Sequence, residues 1–64
     1  MKLNLEKIEK ERQRLGLSNE DIANQLGITR QGWYDFISRP EQKTLQAIVK
    51  LAKVFELDPK DLLI

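Results

Sequence analysis

One glycine, Gly27, separates two short segments that each read as a capped amphipathic helix, within residues 18–37, SNEDIANQLGITRQGWYDFI. Ser18 is placed as the N-cap of the first segment, with Asp21 three residues on in a capping-box pattern. Leu17, just before that cap, can meet Ile22 across the first turn, the spacing of a hydrophobic staple. Ile22, Ala23 and Leu26 share one helical face, and a glycine directly after Leu26 supplies the positive φ that stops a helix. The second segment starts at Thr29 and repeats the staple with Ile28 and Trp33. Its apolar positions are Ile28, Trp33, Phe36 and Ile37, and it ends at Ile37 or Ser38 because Pro40 disfavours helical geometry at Arg39. Gly32 inside it costs about 1 kcal/mol relative to alanine, so this helix leans on tertiary packing or brings its backbone close to something.

The same start signal recurs along the chain. A helix over residues 4–15 has Asn4 as N-cap, a Leu3–Ile8 staple, Glu6 in the first turn, Arg12 and Arg14 in the last, and Gly16 just beyond its end. Leu5, Ile8 and Leu15 give it a sparse apolar stripe, and its remaining charges read as a solvated face. A fourth helix runs from Thr44 to Phe55, with Leu45, Ile48, Val49, Ala52 and Phe55 as its core face. Its staple position holds Lys43, which predicts that the preceding loop faces outward. A short fifth helix follows, with Asp58 as N-cap, Pro59 at the first helical position and a Leu57–Leu62 staple. No stretch alternates with a period of two. The expectation is an all-α, compact five-helix domain, single over residues 1–64, small enough to be marginal without well-organised packing.

Composition removes several functions. The chain has no cysteine and no histidine, so disulfides, thiolate or imidazole metal sites and histidine-based catalysis are excluded, and no nucleophile–base constellation remains. No cofactor is expected. No apolar run approaches the ~20 residues of a membrane span, and the charged N-terminus is unlike a secretory signal, which predicts a cytoplasmic protein. Net charge is only +1, but residues 28–55 hold Arg30, Arg39, Lys43, Lys50 and Lys53 against Asp35 and Glu41, a local +3. Thr29, Arg30, Gln31 and Tyr34 cluster at the exposed start of the third predicted helix. Hydrogen-bonding groups at the N-terminal end of a short helix are what reading a DNA major groove requires.

Residues 5–63 resemble the five-helix helix-turn-helix domains of phage repressors, Cro proteins and the related bacterial regulators of the XRE family. The resemblance is carried by LGLSNEDIANQLGITRQ followed by LQAIVKLAKVFELDPKDLL. It implies a lambda-repressor-like fold, with the second helix across the DNA backbone and the third in the major groove. Carried over by position, Arg30, Gln31 and Tyr34 read bases, while Gly32 and Asp35 face the DNA with Asp35 in a structural or orienting role. Asn19, Thr29, Ser38, Arg39, Gln42 and Lys43 match backbone-contacting positions. Gln31 has the chemistry for adenine N6 and N7, and Arg30 that for guanine O6 and N7 or for a phosphate.

Four positions depart from the family pattern. Arg39 stands where a glycine is usual, and Ile37 where a glutamate commonly pairs with an arginine matching Arg12, which leaves Arg12 solvated. Gly32 replaces a residue with a side chain, and Trp33 is bulkier than the usual aliphatic residue but reads as core. Of the closing Leu62, Leu63 and Ile64, Leu62 is expected to pack inward, leaving Leu63 and Ile64 as a possible dimer contact. The partner implied is double-stranded DNA carrying a palindromic operator, bound by a homodimer that is weak without DNA. With no room for a second, effector-binding domain, regulation would come from concentration, a partner protein or competition for the site. The alternative is a protein-interaction module on the same fold, favoured by the low net charge, Asp35 and Gly32.

Overall fold

The computed structural model describes residues 1–41 and 43–64. Among them are four α-helices, α1 (Leu5–Arg14), α2 (Asn19–Leu26), α3 (Arg30–Ser38) and α4 (Leu45–Phe55), followed by a 3₁₀ turn, Pro59–Leu62. All five starts fall where the caps predict. Asn4, Ser18, Thr29, Thr44 and Asp58 each accept a first-turn backbone N–H with a side-chain oxygen. At Ser18 the capping box is reciprocal: Asp21 N–H donates to the hydroxyl at 3.0 Å, and Ser18 N–H donates to the Asp21 carboxylate at 2.9 Å.

Three helices end in one way. Gly16, Gly27 and Glu56 adopt left-handed backbone with φ of 68°, 73° and 57°. The N–H that follows each then reaches back to a carbonyl: Leu17 to Arg12 at 3.0 Å, Ile28 to Ala23 at 3.0 Å and Leu57 to Ala52 at 2.9 Å. The α2–α3 turn is thus set by Gly27 at one end and the Thr29 cap at the other.

The expected fifth helix is shorter than predicted. Pro59 brings no N–H, only four residues hold helical geometry, and the chain leaves them as extended Leu63 (φ −107°, ψ 150°). Leu63 forms an isolated antiparallel bridge with Leu3, a pairing that strand periodicity could not foretell. Residues 1–4 lie between two neighbours. On one side Leu3 N–H donates to Pro40 O at 2.9 Å, and Lys43 N–H donates to Met1 O at 3.0 Å. On the other, Asn4 N–H reaches Leu62 O at 2.8 Å, and Ile64 N–H reaches Lys2 O at 3.1 Å. The loop before α4 is therefore tied down through Lys43, which is half-buried, and does not simply face outward as its charge suggested.

The core gathers around α4, whose buried residues are Ile48, Leu51, Ala52 and Phe55. Ile22 and Ala23 come to it from α2, Trp33 from α3, and Leu3 and Leu62 from the two ends of the chain. Leu45, assigned to the core face, is 54% exposed, and Leu51, left out of it, is 0% exposed. Leu45 is the first residue of α4 and overhangs the core edge, whereas Leu51 lies between Ile48 and Phe55 at i+3 and i+4. Of the stripe residues Leu5, Ile8 and Leu15 only Ile8 is buried; Leu5 and Leu15 are exposed. The next inward position is Glu11, 8% exposed, whose carboxylate accepts from Arg14 Nε at 3.1 Å and Nη2 at 2.9 Å. So the charged face of α1 is not wholly solvated.

Arg12 is not solvated either. Its side chain is 21% exposed. Nη1 donates to the Leu17 carbonyl at 2.8 Å and the rest of the guanidinium pairs with Glu9. It fastens the α1–α2 turn, and Ile37, where the resemblance implied a glutamate, packs against the core.

Candidate nucleic-acid interface

A helix turns about 100° per residue. With Trp33 and Phe36 facing the core, that rotation puts Gln31, Asp35 and Ser38 on the outward side of α3. Burial agrees: Arg30, Gln31, Tyr34, Asp35 and Ser38 are exposed, Gly32 is half-buried, and Trp33 is 1% exposed.

The outward residues are partly interlocked. Gln31 Nε2 donates to Asp35 Oδ1 at 3.1 Å, one turn along the helix. Asp35 thereby fixes the Gln31 amide on the exposed face of the helix. The side chain of Arg30, the first residue of α3, has no hydrogen bond or ion pair among the described residues. Tyr34 stands on the flank toward α1. The Arg12 guanidinium is held above its ordinary pKa first by its hydrogen bonds to Glu9 and, in small part, by Tyr34. The Ser38 hydroxyl donates to Asp35 O at 2.8 Å, so its proton is engaged within the helix.

Thr29 Oγ1 accepts from Gly32 N–H at 3.0 Å, which leaves the hydroxyl proton free. A Cβ on residue 32 would stand 3.2 Å from that oxygen and 3.7 Å from Ile28 Cβ. The glycine therefore sits beneath the N-cap itself, where a side chain would crowd the Thr29 hydroxyl.

Two further groups border α3. At one end is the start of α2, where Asn19 Oδ1 accepts from the Trp33 indole N–H at 2.9 Å. At the other is the α3–α4 loop. Its Lys43 ammonium lies 4.0 Å from the centroid of Phe36, whose ring stacks on Trp33 at 5.8 Å between centroids. Burial pushes the Lys43 ammonium below its ordinary pKa, the nearby Arg39 charge adds to that, and Glu41 opposes it. Neither Arg39 nor Lys43 has an ion pair among the described residues. The loop thus brings two cations, Arg39 and Lys43, near each other, with the Glu41 carboxylate close enough to act on Lys43. Gln42, assigned to the same loop, lies outside the described residues.

Sequence reasoning missed three supports of this surface. The Asn19–Trp33 bond joins residues with no periodic relation, so no spacing reveals it. The Arg12 contact to Leu17 and the hold of Met1 and Leu3 on the loop run through backbone carbonyls and N–H groups, which carry no side-chain signature. No helix among the described residues is long and apolar enough to cross a membrane, and none of them form a group of three acids fit to hold a metal ion.

Comparison with curated proteins and with solved structures gave no match. A family model described as helix-turn-helix matches residues 8–62, which takes in all four α-helices but the start of α1, together with the 3₁₀ turn. With α2 and α3 set at the Gly27 turn and supported by α4, the chain belongs to the XRE-type helix-turn-helix family, whose domains bind DNA.

Proposed function

We propose that this protein is a sequence-specific double-stranded DNA-binding regulator of repressor type, which lays α3 in the major groove and acts by occupying its operator. The observation that carries the reading is the arrangement around α3. An exposed Arg30 and Gln31 open the helix, Asn19 stands at one border, and the loop cations Arg39 and Lys43 stand at the other. Arg30, Gln31 and Tyr34 read base edges, Tyr34 from the flank. Thr29, Asn19, Arg39 and Lys43 hold phosphates.

Asp35 sharpens the role of Gln31. It takes one amide hydrogen, leaving Gln31 one donor and one acceptor, the pattern that adenine N7 and N6 complement. Guanine offers two acceptors there and is served less well. We propose that it acts as a homodimer on a palindromic operator, a reading supported by the 77% exposed Ile64, while Leu63 packs against the core and bridges to Leu3. Half-sites would then lie about one helical turn apart.

Selection from a randomised duplex pool, followed by salt titration on the recovered site, tests the proposal. Affinity is expected to fall steeply with salt, with a slope of roughly 0.9 per phosphate neutralised. Gln31→Ala should lose roughly 1–3 kcal/mol at one base pair and relax preference there. Arg39→Ala should weaken binding equally on all sequences and reduce the salt slope by about 1. No binding to any duplex at low salt would remove the proposal and leave the interaction-module reading.

A further inference from the structure

The buried Trp33 side chain carries a polar group, and Asn19 of α2 receives it. An indole nitrogen donates and never accepts, so the amide oxygen of Asn19 faces the ring and its NH₂ is turned away. Among the described residues that NH₂ has no partner. The backbone N–H groups of Asn19 and Glu20, in the first turn of α2, have no intrahelical acceptor either. The same indole stacks on Phe36, and Phe36 lies under the Lys43 ammonium. A row of four side chains, Asn19, Trp33, Phe36 and Lys43, thus joins the two borders of the candidate interface along the inner side of α3.

We propose that Trp33 is a positioning residue for DNA: its indole N–H fixes the Asn19 amide with the NH₂ outward, as a donor to a phosphate. The inference rests on the DNA-binding reading above. Without the indole N–H the amide can rotate and present its oxygen, which repels a phosphate. Core packing alone needs only the ring, so the N–H separates the two roles.

The probe is a short mixed-sequence duplex at low salt, since a phosphate contact is indifferent to sequence. Asn19→Asp retains an acceptor for the indole and puts negative charge at the start of α2, where the helix dipole favours it. It replaces the donor with an anionic oxygen. Its thermal midpoint should match or exceed that of the unmodified protein while duplex binding is lost. Trp33→Phe keeps a ring and removes the N–H. It should bind about 5-fold more weakly with an unchanged salt slope, because an uncharged contact releases no counterion. Asn19→Ala should bind about 10-fold more weakly, and the double variant no more weakly than Asn19→Ala alone. Without DNA, the Trp33 indole ¹⁵N–¹H resonance should shift in Asn19→Ala.

Full duplex binding by Asn19→Asp, or multiplying losses in the double variant, would overturn the inference alone. Failure of the unmodified protein to bind any duplex would remove the DNA reading and this inference with it. Should Trp33→Phe not fold, the indole resonance still decides: no shift of it in Asn19→Ala would overturn the inference.

Discussion

Glu56 holds a φ of 57° at the end of α4, in the position that glycines occupy at the ends of α1 and α2. Left-handed backbone costs an L-residue roughly 1–2 kcal/mol, and glycine avoids that while losing more freedom on folding. Glu56→Gly should therefore stabilise the fold by about 0.5–1 kcal/mol, read as a higher urea midpoint at unchanged slope. A loss of stability would mean that the Glu56 carboxylate, which helps in small part to hold the Arg14 guanidinium above its ordinary pKa, matters more than backbone strain. At this scale the sequence was partly readable. Gly16 and Gly27 announced their turns, but a glutamate in the same role gives no sign. Nor does the indole N–H of Trp33: its apolar body was evident from the spacing, whereas its hydrogen-bond partner depended on how α2 crosses α3.

Helix starts were read correctly because each is a local event, settled by a capping oxygen and the N–H groups within three residues of it. Thr29→Ala isolates the start that matters most. It should cost about 1 kcal/mol of stability through the lost Gly32 N–H bond, and it should weaken duplex binding beyond what partial unfolding explains, because the free hydroxyl proton goes too. Circular dichroism melts paired with binding at a temperature where both proteins are folded would separate these losses. If binding is unchanged among folded molecules, Thr29 is a cap alone. Which face of a helix is buried proved harder to read than where the helix begins. Leu45 and Leu51 fit the α4 periodicity about equally as apolar residues, and only the extent of the neighbouring elements leaves the first outside. In α1, Glu11 occupies an inward position because Arg14 and Lys7 neutralise it there; hydrophobic periodicity cannot register an acid in that place.

The whole molecule is closed by its ends, with residues 1–4 held between the α3–α4 loop and the last residues of the chain. The cations assigned to one border of the interface therefore depend on backbone bonds from the N-terminus, and an account built from side chains alone misses that dependence. Charge acts at this scale too. Hydrogen bonds from Arg12 hold the Glu9 carboxyl below its ordinary pKa, those from Arg14 do the same for Glu11, and the Ser18 backbone N–H does so for Asp21. A carboxyl whose folded pKa is depressed adds stability above its unfolded pKa, and that stability is lost as pH falls through the folded value. With neither histidine nor cysteine, no side chain has an ordinary pKa between the carboxylates and tyrosine near 10. The thermal midpoint should stay level from about pH 8 down to about pH 5, then fall through the carboxylate range and continue falling below it. Asp21→Asn, which keeps an oxygen for the Ser18 N–H but removes the charge, should start from a lower plateau and fall less steeply in acid. A step in the midpoint between pH 6 and 8, or equal acid slopes for the two proteins, would show that these capping and intrahelical pairs do not govern the response to pH.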